Sequence, residues 1–229
     1  MRRRRRPATL KRSSGVTKST VMPQLTLFGS GETLLVDDER GRVSYTPRFV
    51  DAAIAEGWFT ELRAGVSWRA ERRMMYDREI DVPRLVGHFR LDPAPDVTPA
   101  AILDAAYRVT DKLQVPFNSV GLNLYRDGRD SVAPHNDHLN EIRKGFPIAL
   151  VSLGATRRMT IRAKEQPRRL VHVDLEPGSL LVMDYATQLH YTHGVPKTTD
   201  PVGERISLAF RVKRAREAEP GPAQGGFYR

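Results

Sequence analysis

Phe117-Asn-Ser-Val-Gly-Leu-Asn-Leu-Tyr125 marks the point at which the chain changes character. Its apolar residues alternate, so Leu122 and Leu124 turn to one side while Asn123 and Tyr125 share the other, as on a half-buried strand. Downstream the alternation persists in short runs between turn signals, and strands are expected over 119–125, 147–153, 159–162, 169–174, 179–183 and 205–212. Upstream the period is helical. Pro47 opens a helix over 48–64, where Val50, Ile54, Trp58 and Leu62 recur every four positions. A second helix over 99–114 carries Ile102, Ala106, Val109 and Leu113 on one face, with Thr98 as its cap. Short strands are also expected at 24–28 and 42–45, beside turn-rich 29–31 and 37–41. Helices confined to the N-terminal half and strands thereafter predict a mainly β, α+β architecture: an antiparallel sandwich or jelly roll buttressed by helices.

With 229 residues, 40% of them apolar, the chain can close one core of ordinary size. The expected division is a single domain over 23–213, a disordered basic leader over 1–22 and a disordered tail over 214–229. There is no cysteine. Disulfides, iron–sulfur clusters, thiolate zinc sites and cysteine nucleophiles are thereby excluded, and any metal must rest on His, Asp or Glu. The apolar runs fall far short of the ~18 to 20 residues of a membrane span, so no membrane is expected as a partner. The net charge of +10 lies at the ends: Arg2 to Arg6, Lys11, Arg12 and Lys18 come before the first acidic residue, Glu32. That start reads as a phosphate-binding arm, or as a plain or organelle-targeting leader; it lacks the apolar stretch of a secretory signal. A reducing, cytoplasmic setting and a monomer are the corresponding expectations.

The candidate chemistry begins at His135-Asn-Asp137. An imidazole and a carboxylate two residues apart on an extended segment can take adjacent positions on one metal. A third ligand can come from His190 or His193, and spacing alone leaves that choice open. Two histidines and one carboxylate leave three positions free, as in non-haem Fe(II) oxygenases, although the same ligands also suit zinc hydrolysis. Arg205-Ile-Ser-Leu-Ala-Phe-Arg211 narrows the choice. Ile206, Leu208 and Phe210 fill one face of a strand; Arg205, Ser207, Ala209 and Arg211 line the other. Two α-carbons about 20 Å apart, with side chains reaching toward each other over small residues, leave a slot for a short dicarboxylate. Asn123 and Tyr125 can add hydrogen bonds to its ends.

Taken in order, several stretches make the chain resemble the AlkB-type Fe(II)/2-oxoglutarate dioxygenases that repair alkylated nucleic acids. They are Pro83-Arg-Leu85, the 117–128 segment, His135-Asn-Asp137, Ser152-Leu-Gly-Ala-Thr-Arg-Arg158, the 177–183 segment, His193-Gly-Val-Pro-Lys197 and 205–211. The resemblance implies a double-stranded β-helix, with His135, Asp137 and His193 as iron ligands, His193 being favoured over His190. It also implies Asn123, Tyr125, Arg205 and Arg211 as 2-oxoglutarate contacts, joined by Ser207, a smaller polar group where relatives often have Asn that should still permit co-substrate binding. The implied cofactors are Fe(II), 2-oxoglutarate and O2. The implied reaction is oxidative dealkylation of N-alkylated bases in DNA or RNA, single-stranded or flipped, yielding succinate, CO2 and an aldehyde.

Two departures bear on the substrate. Many relatives place base-contacting acidic residues after the metal motif, whereas Asp137 is followed by His138-Leu139-Asn140. The aromatic flap of relatives is also shortened, to Gly87-His88-Phe89-Arg90 and Leu91 to Val97. The same chemistry on a protein side chain or small molecule, or a non-catalytic nucleic-acid-binding module, are the alternatives. Basic clusters at 68–78 and 157–169 fit a phosphate backbone or a solvated face. His88, His138 and His172 read as surface or supporting residues.

Overall fold

The computed structural model describes residues 31–75 and 78–214. The strand expected at 24–28, the basic leader and the tail from 215 onward lie outside the described residues. In chain order the elements are β1 (Thr33–Asp38), β2 (Gly41–Thr46), α1 (Ala52–Gly65), β3 (Arg69–Met75), β4 (Arg78–Arg90), α2 (Ala100–Leu113), β5 (Ser119–Tyr125), β6 (Val132–His135), β7 (Ile148–Gly154), β8 (Arg157–Ala163), β9 (Leu170–Leu175), β10 (Leu180–Met183), α3 (Tyr185–His190), β11 (Tyr191–Val195) and β12 (Arg205–Arg211).

The strands form two antiparallel sheets, of order β1-β2-β10-β7-β12-β5-β4-β3 and β6-β11-β8-β9. The jelly-roll expectation holds. One apolar layer joins the helices to the large sheet, with Trp58, Leu62, Ile102 and Val109 against Leu122, Leu124, Leu208 and Phe210. A second, containing Leu150, Met159, Ile161, Leu181, Tyr191 and Ala209, lies between the sheets. Strand β7 is therefore buried on both faces and reads as a continuous apolar run.

The two helices begin later, or are capped differently, than their sequence predicts. Arg48 has a positive φ of 52°, so the chain is still turning after Pro47. Asp51 then caps α1 by accepting from the Ile54 N–H at 2.8 Å. Thr98 does not cap α2: Pro99 holds the cap position, the buried Thr98 hydroxyl has no partner, and the Ala101 N–H donates to Glu61 on α1 instead. A carboxylate from a neighbouring helix has taken the role that the local sequence assigned to a hydroxyl.

Sequence reading missed β1, β3, β4, β6, β11 and α3. Gly87-His88-Phe89-Arg90 is not a flap; these residues pair with β5 inside the large sheet, from Leu85↔Leu124 to Arg90↔Ser119. Beyond Leu85, the hairpin of β3 and β4 continues with pairs such as Arg72↔Asp81 and Met75↔Arg78. Only residues 91–99 separate β4 from α2. Among the described residues no helix is long and apolar enough to cross a membrane.

Candidate metal and co-substrate site

Strands β6 and β11 pair so that His135 stands directly opposite His193. Their ring centroids are 4.5 Å apart. A Cβ on Gly194 would meet the Val132 carbonyl at 2.7 Å, so only glycine permits this approach of the two strands. Asp137 follows two residues after His135, and ligand atoms of His135, Asp137 and His193 all lie within 4.8 Å of one another. His190 ends α3 and is not in this group. The choice that spacing left open is thus made by strand register.

Each donor is held by a specific partner. His135 Nδ1 lies 3.0 Å from the Ala133 carbonyl, so the tautomer with hydrogen on Nδ1 satisfies that carbonyl and leaves the Nε2 lone pair toward Asp137. The Asp137 N–H donates to Oε1 of the buried Gln188 at 3.1 Å, and the Asn136 amide donates to the Tyr191 carbonyl. Arg211 grips the Asp137 carboxylate with one edge of its guanidinium, Nε to Oδ2 at 2.9 Å and Nη2 to Oδ1 at 3.1 Å. Burial pushes the Asp137 carboxyl up, but the Arg211 charge and hydrogen bonds outweigh it and hold the group below the usual carboxylate range. Burial, with His135 alongside, lowers His193 to about 3; burial likewise lowers His135. Two neutral imidazoles and one ionised carboxylate are the donor set a divalent cation requires.

Beside them lies a cavity of about 840 Å³, lined by Asn123, Tyr125, Arg205, Ser207 and Arg211 as well as the three donors. Ser152, Ser207 and Asn123 form one polar row across the central strands β7, β12 and β5. Arg205, fully buried, donates through Nη2 to Ser152 Oγ at 2.8 Å, while its Nε and Nη1 have no partner. Among the described residues no carboxylate side chain pairs with it. A guanidinium in this position stays charged, and burying it unpaired is costly. A buried cation with unfilled donors calls for an anionic acceptor, and a carboxylate at one end of 2-oxoglutarate supplies that chemistry.

The geometry departs from the expected slot between two facing arginines. Arg205 keeps free donors, but Arg211 is committed to Asp137, because the chain after His135 brings that carboxylate to the far end of β12 and offers a bidentate partner. Asn123 is also engaged, accepting from Arg84 Nε at 2.7 Å. The 157–169 cluster is largely not a phosphate surface. Arg157 is buried, Arg158 pairs with Asp174 at 2.7 Å, Lys164 donates to the Gln188 and Leu189 carbonyls, and Arg169 reaches the Leu35 carbonyl and Asp38. Arg162 and Arg168 remain exposed. Of the 68–78 cluster, Arg69 is exposed and lines the cavity. His88 and His138 line it too, whereas His172 is exposed on β9. Sequence reasoning missed Arg84, Ser152, Arg157 and Gln188; all four lie in stretches it had singled out, but none carried a signal of its role.

Comparison with known proteins agrees with this geometry. Residues 42–211 match the model of the 2OG-Fe(II) oxygenase superfamily. The chain is 31% identical over 189 residues to alpha-ketoglutarate-dependent dioxygenase alkB homolog 3 of Bos taurus, covering 75% of this chain and 66% of that one. Against the Mus musculus protein of the same name the figures are 29%, 83% and 76%. It is 39% identical over 111 residues to DNA oxidative demethylase ALKBH2 of Mus musculus, covering 45% of this chain and 46% of that one. A crystal structure of a 2OG-Fe(II) oxygenase family oxidoreductase from Burkholderia pseudomallei shares the fold, with TM-score 0.52 at 14% identity over 74% of this chain and 84% of that one. Strand register that gathers two imidazoles and a carboxylate beside an unpaired buried arginine, within a matched segment that spans most of the jelly roll, leads to one conclusion: the chain belongs to the 2OG-Fe(II) oxygenase superfamily, among its AlkB-type dioxygenases.

Proposed function

We propose that the protein oxidatively dealkylates N-alkylated bases in DNA or RNA, with His135, Asp137 and His193 holding Fe(II). Asn123, Tyr125, Arg205 and Ser207 receive 2-oxoglutarate in this reading. The observation that carries it is Arg205, a fully buried guanidinium with two unfilled donors in the wall of the cavity that holds the two-histidine, one-aspartate group. Bound there, Fe(II) with 2-oxoglutarate and O2 supplies the oxidant for a substrate C–H bond, with succinate and CO2 as co-products. Arg205 fixes one carboxylate of the co-substrate by charge-assisted hydrogen bonds and so sets its orientation. Arg211 and Gln188 hold Asp137 in place, and the Ala133 carbonyl fixes the His135 ring. Arg211, expected to touch the co-substrate, is assigned the orientation of Asp137.

The names of the relatives, an alkB homolog and a DNA oxidative demethylase, support a nucleic-acid substrate. Hydroxylation of an N-alkyl group gives a hemiaminal, which collapses to an aldehyde and the restored base. An alkyl group on the Watson–Crick edge favours a single-stranded or flipped nucleotide, and the exposed Arg69 at the cavity adds a contact for its phosphate. Action as a monomer is part of this reading. His138-Leu139-Asn140 after Asp137, where many relatives have acids, favours a second reading with the same oxidation on a protein side chain or small molecule.

The test is to incubate iron-loaded protein with 2-oxoglutarate and a single-stranded oligonucleotide carrying an N-methylated base, measuring succinate and formaldehyde. Equal yields of the two are expected. Succinate without formaldehyde would transfer the chemistry to another substrate. Neither product, with oligonucleotide binding retained, would mean a non-catalytic binding module.

A further inference from the structure

We propose that Arg157 is a positioning residue for the co-substrate pocket, a buried cation that ties together the two loops flanking the paired histidine strands and stands over the Tyr125 ring. The inference rests on the assignment of the cavity to a divalent cation and 2-oxoglutarate.

Arg157 opens β8 and is 2% exposed. Its fork donates to three backbone carbonyls: Nη1 to Asp127 at 2.9 Å, Nη2 to Asp130 at 2.9 Å and Nη2 to Pro196 at 2.8 Å. The first two belong to the loop between Tyr125 and β6; the third lies three residues after His193. One side chain therefore fixes both the entry to the strand that carries His135 and the exit from the strand that carries His193, the two residues paired across β6 and β11. The same loops also meet where the Thr198 N–H donates to the Gly128 carbonyl, so closely that a Cβ on Gly128 would lie 2.4 Å from the Thr198 oxygen.

Among the described residues no carboxylate forms an ion pair with Arg157. The Asp127 carboxylate is taken by Arg129 and that of Asp130 by Arg126. Its guanidinium instead stands 5.7 Å from the centroid of the Tyr125 ring, and that of Arg205 stands 5.1 Å from the same centroid. Two buried cations thus share one aromatic ring in the wall of the cavity. Arg205 touches the cavity directly and Arg157 acts through Tyr125 and the loops. A lysine in its place would keep the charge but lack the planar fork that spans three carbonyls; a methionine would keep neither.

Calorimetric titration of 2-oxoglutarate into Mn(II)-saturated wild type, R157K and R157M, with a thermal midpoint for each, tests this. Wild type should bind, R157M should bind about tenfold or more weakly, and R157K should recover part of the loss while melting near the wild-type temperature. Should R157M fail to fold, a weaker 2-oxoglutarate affinity in a normally melting R157K supports the proposal. Variants that melt earlier yet bind 2-oxoglutarate as wild type does would overturn it, leaving Arg157 a fold-stabilising residue alone. A wild-type protein that takes up Mn(II) but no 2-oxoglutarate would overturn the reading of the cavity, and this inference with it.

Discussion

Arg205 shows how much of the site is a property of single side chains. Period-two alternation put Arg205, Ser207, Ala209 and Arg211 on one face from sequence, and the structure keeps them there. What alternation could not show is the partner of each cation: Arg211 meets a carboxylate from a distant stretch, whereas among the described residues no carboxylate pairs with Arg205. A buried charge with unfilled donors is held there at the expense of stability, and its replacement by an apolar residue of similar size tends to be neutral or stabilising. The Arg205→Met variant should therefore lose 2-oxoglutarate affinity by about tenfold to a hundredfold. Its unfolding free energy in denaturant should stay level or rise by up to about 4 kcal/mol. A marked loss of stability would show instead that the protein itself satisfies this cation. Arg157 illustrates the converse limit of sequence reading, since a charge in a basic run looks the same whether it faces solvent or three carbonyls.

Among the elements, the long alternating strands were legible and the short ones were not. Strands β5, β7 and β12 announce themselves because each alternates or runs apolar over seven residues between turns. Strands β6 and β11 do not: the first has four residues and contains Pro134, and the second is interrupted by Gly194. The first exists through pairing with β11, and the second through pairing with β6 on one side and β8 on the other, which is information no local window contains. This is also why His190 and His193 could not be separated by spacing, since one ends a helix and the other enters a ladder. Gly194→Ala tests the point. A methyl group 2.7 Å from the Val132 carbonyl and 3.0 Å from Pro134 N must push the strands apart. A destabilisation of about 1–3 kcal/mol is expected from denaturant unfolding, together with weakened Mn(II) binding by calorimetry. Unchanged metal affinity would show that the His135–His193 pairing tolerates a wider gap.

At the scale of the whole molecule, the residues proposed to receive the co-substrate and the histidines proposed to hold the metal come from different layers. Asn123, Ser152, Arg205 and Ser207 belong to central strands of the large sheet, while His135 and His193 belong to the small one. Ligands that bind only the folded state should therefore stabilise it, by about 2.7 kcal/mol at a free concentration a hundred times the dissociation constant. For a domain of this size that corresponds to roughly 5–10 °C in thermal midpoint when Mn(II) and 2-oxoglutarate are added together. A midpoint that does not move would mean that neither ligand binds the folded state preferentially. Because the reacting groups are divided between two slabs joined by an apolar layer and a few polar contacts such as Tyr191 to Asp38 and Tyr45 to the Asp174 carbonyl, secondary structure alone does not make an enzyme here. A swollen form with every strand still hydrogen-bonded to its neighbours, but with the slabs slid a few ångströms apart, would give a normal far-ultraviolet spectrum and no turnover.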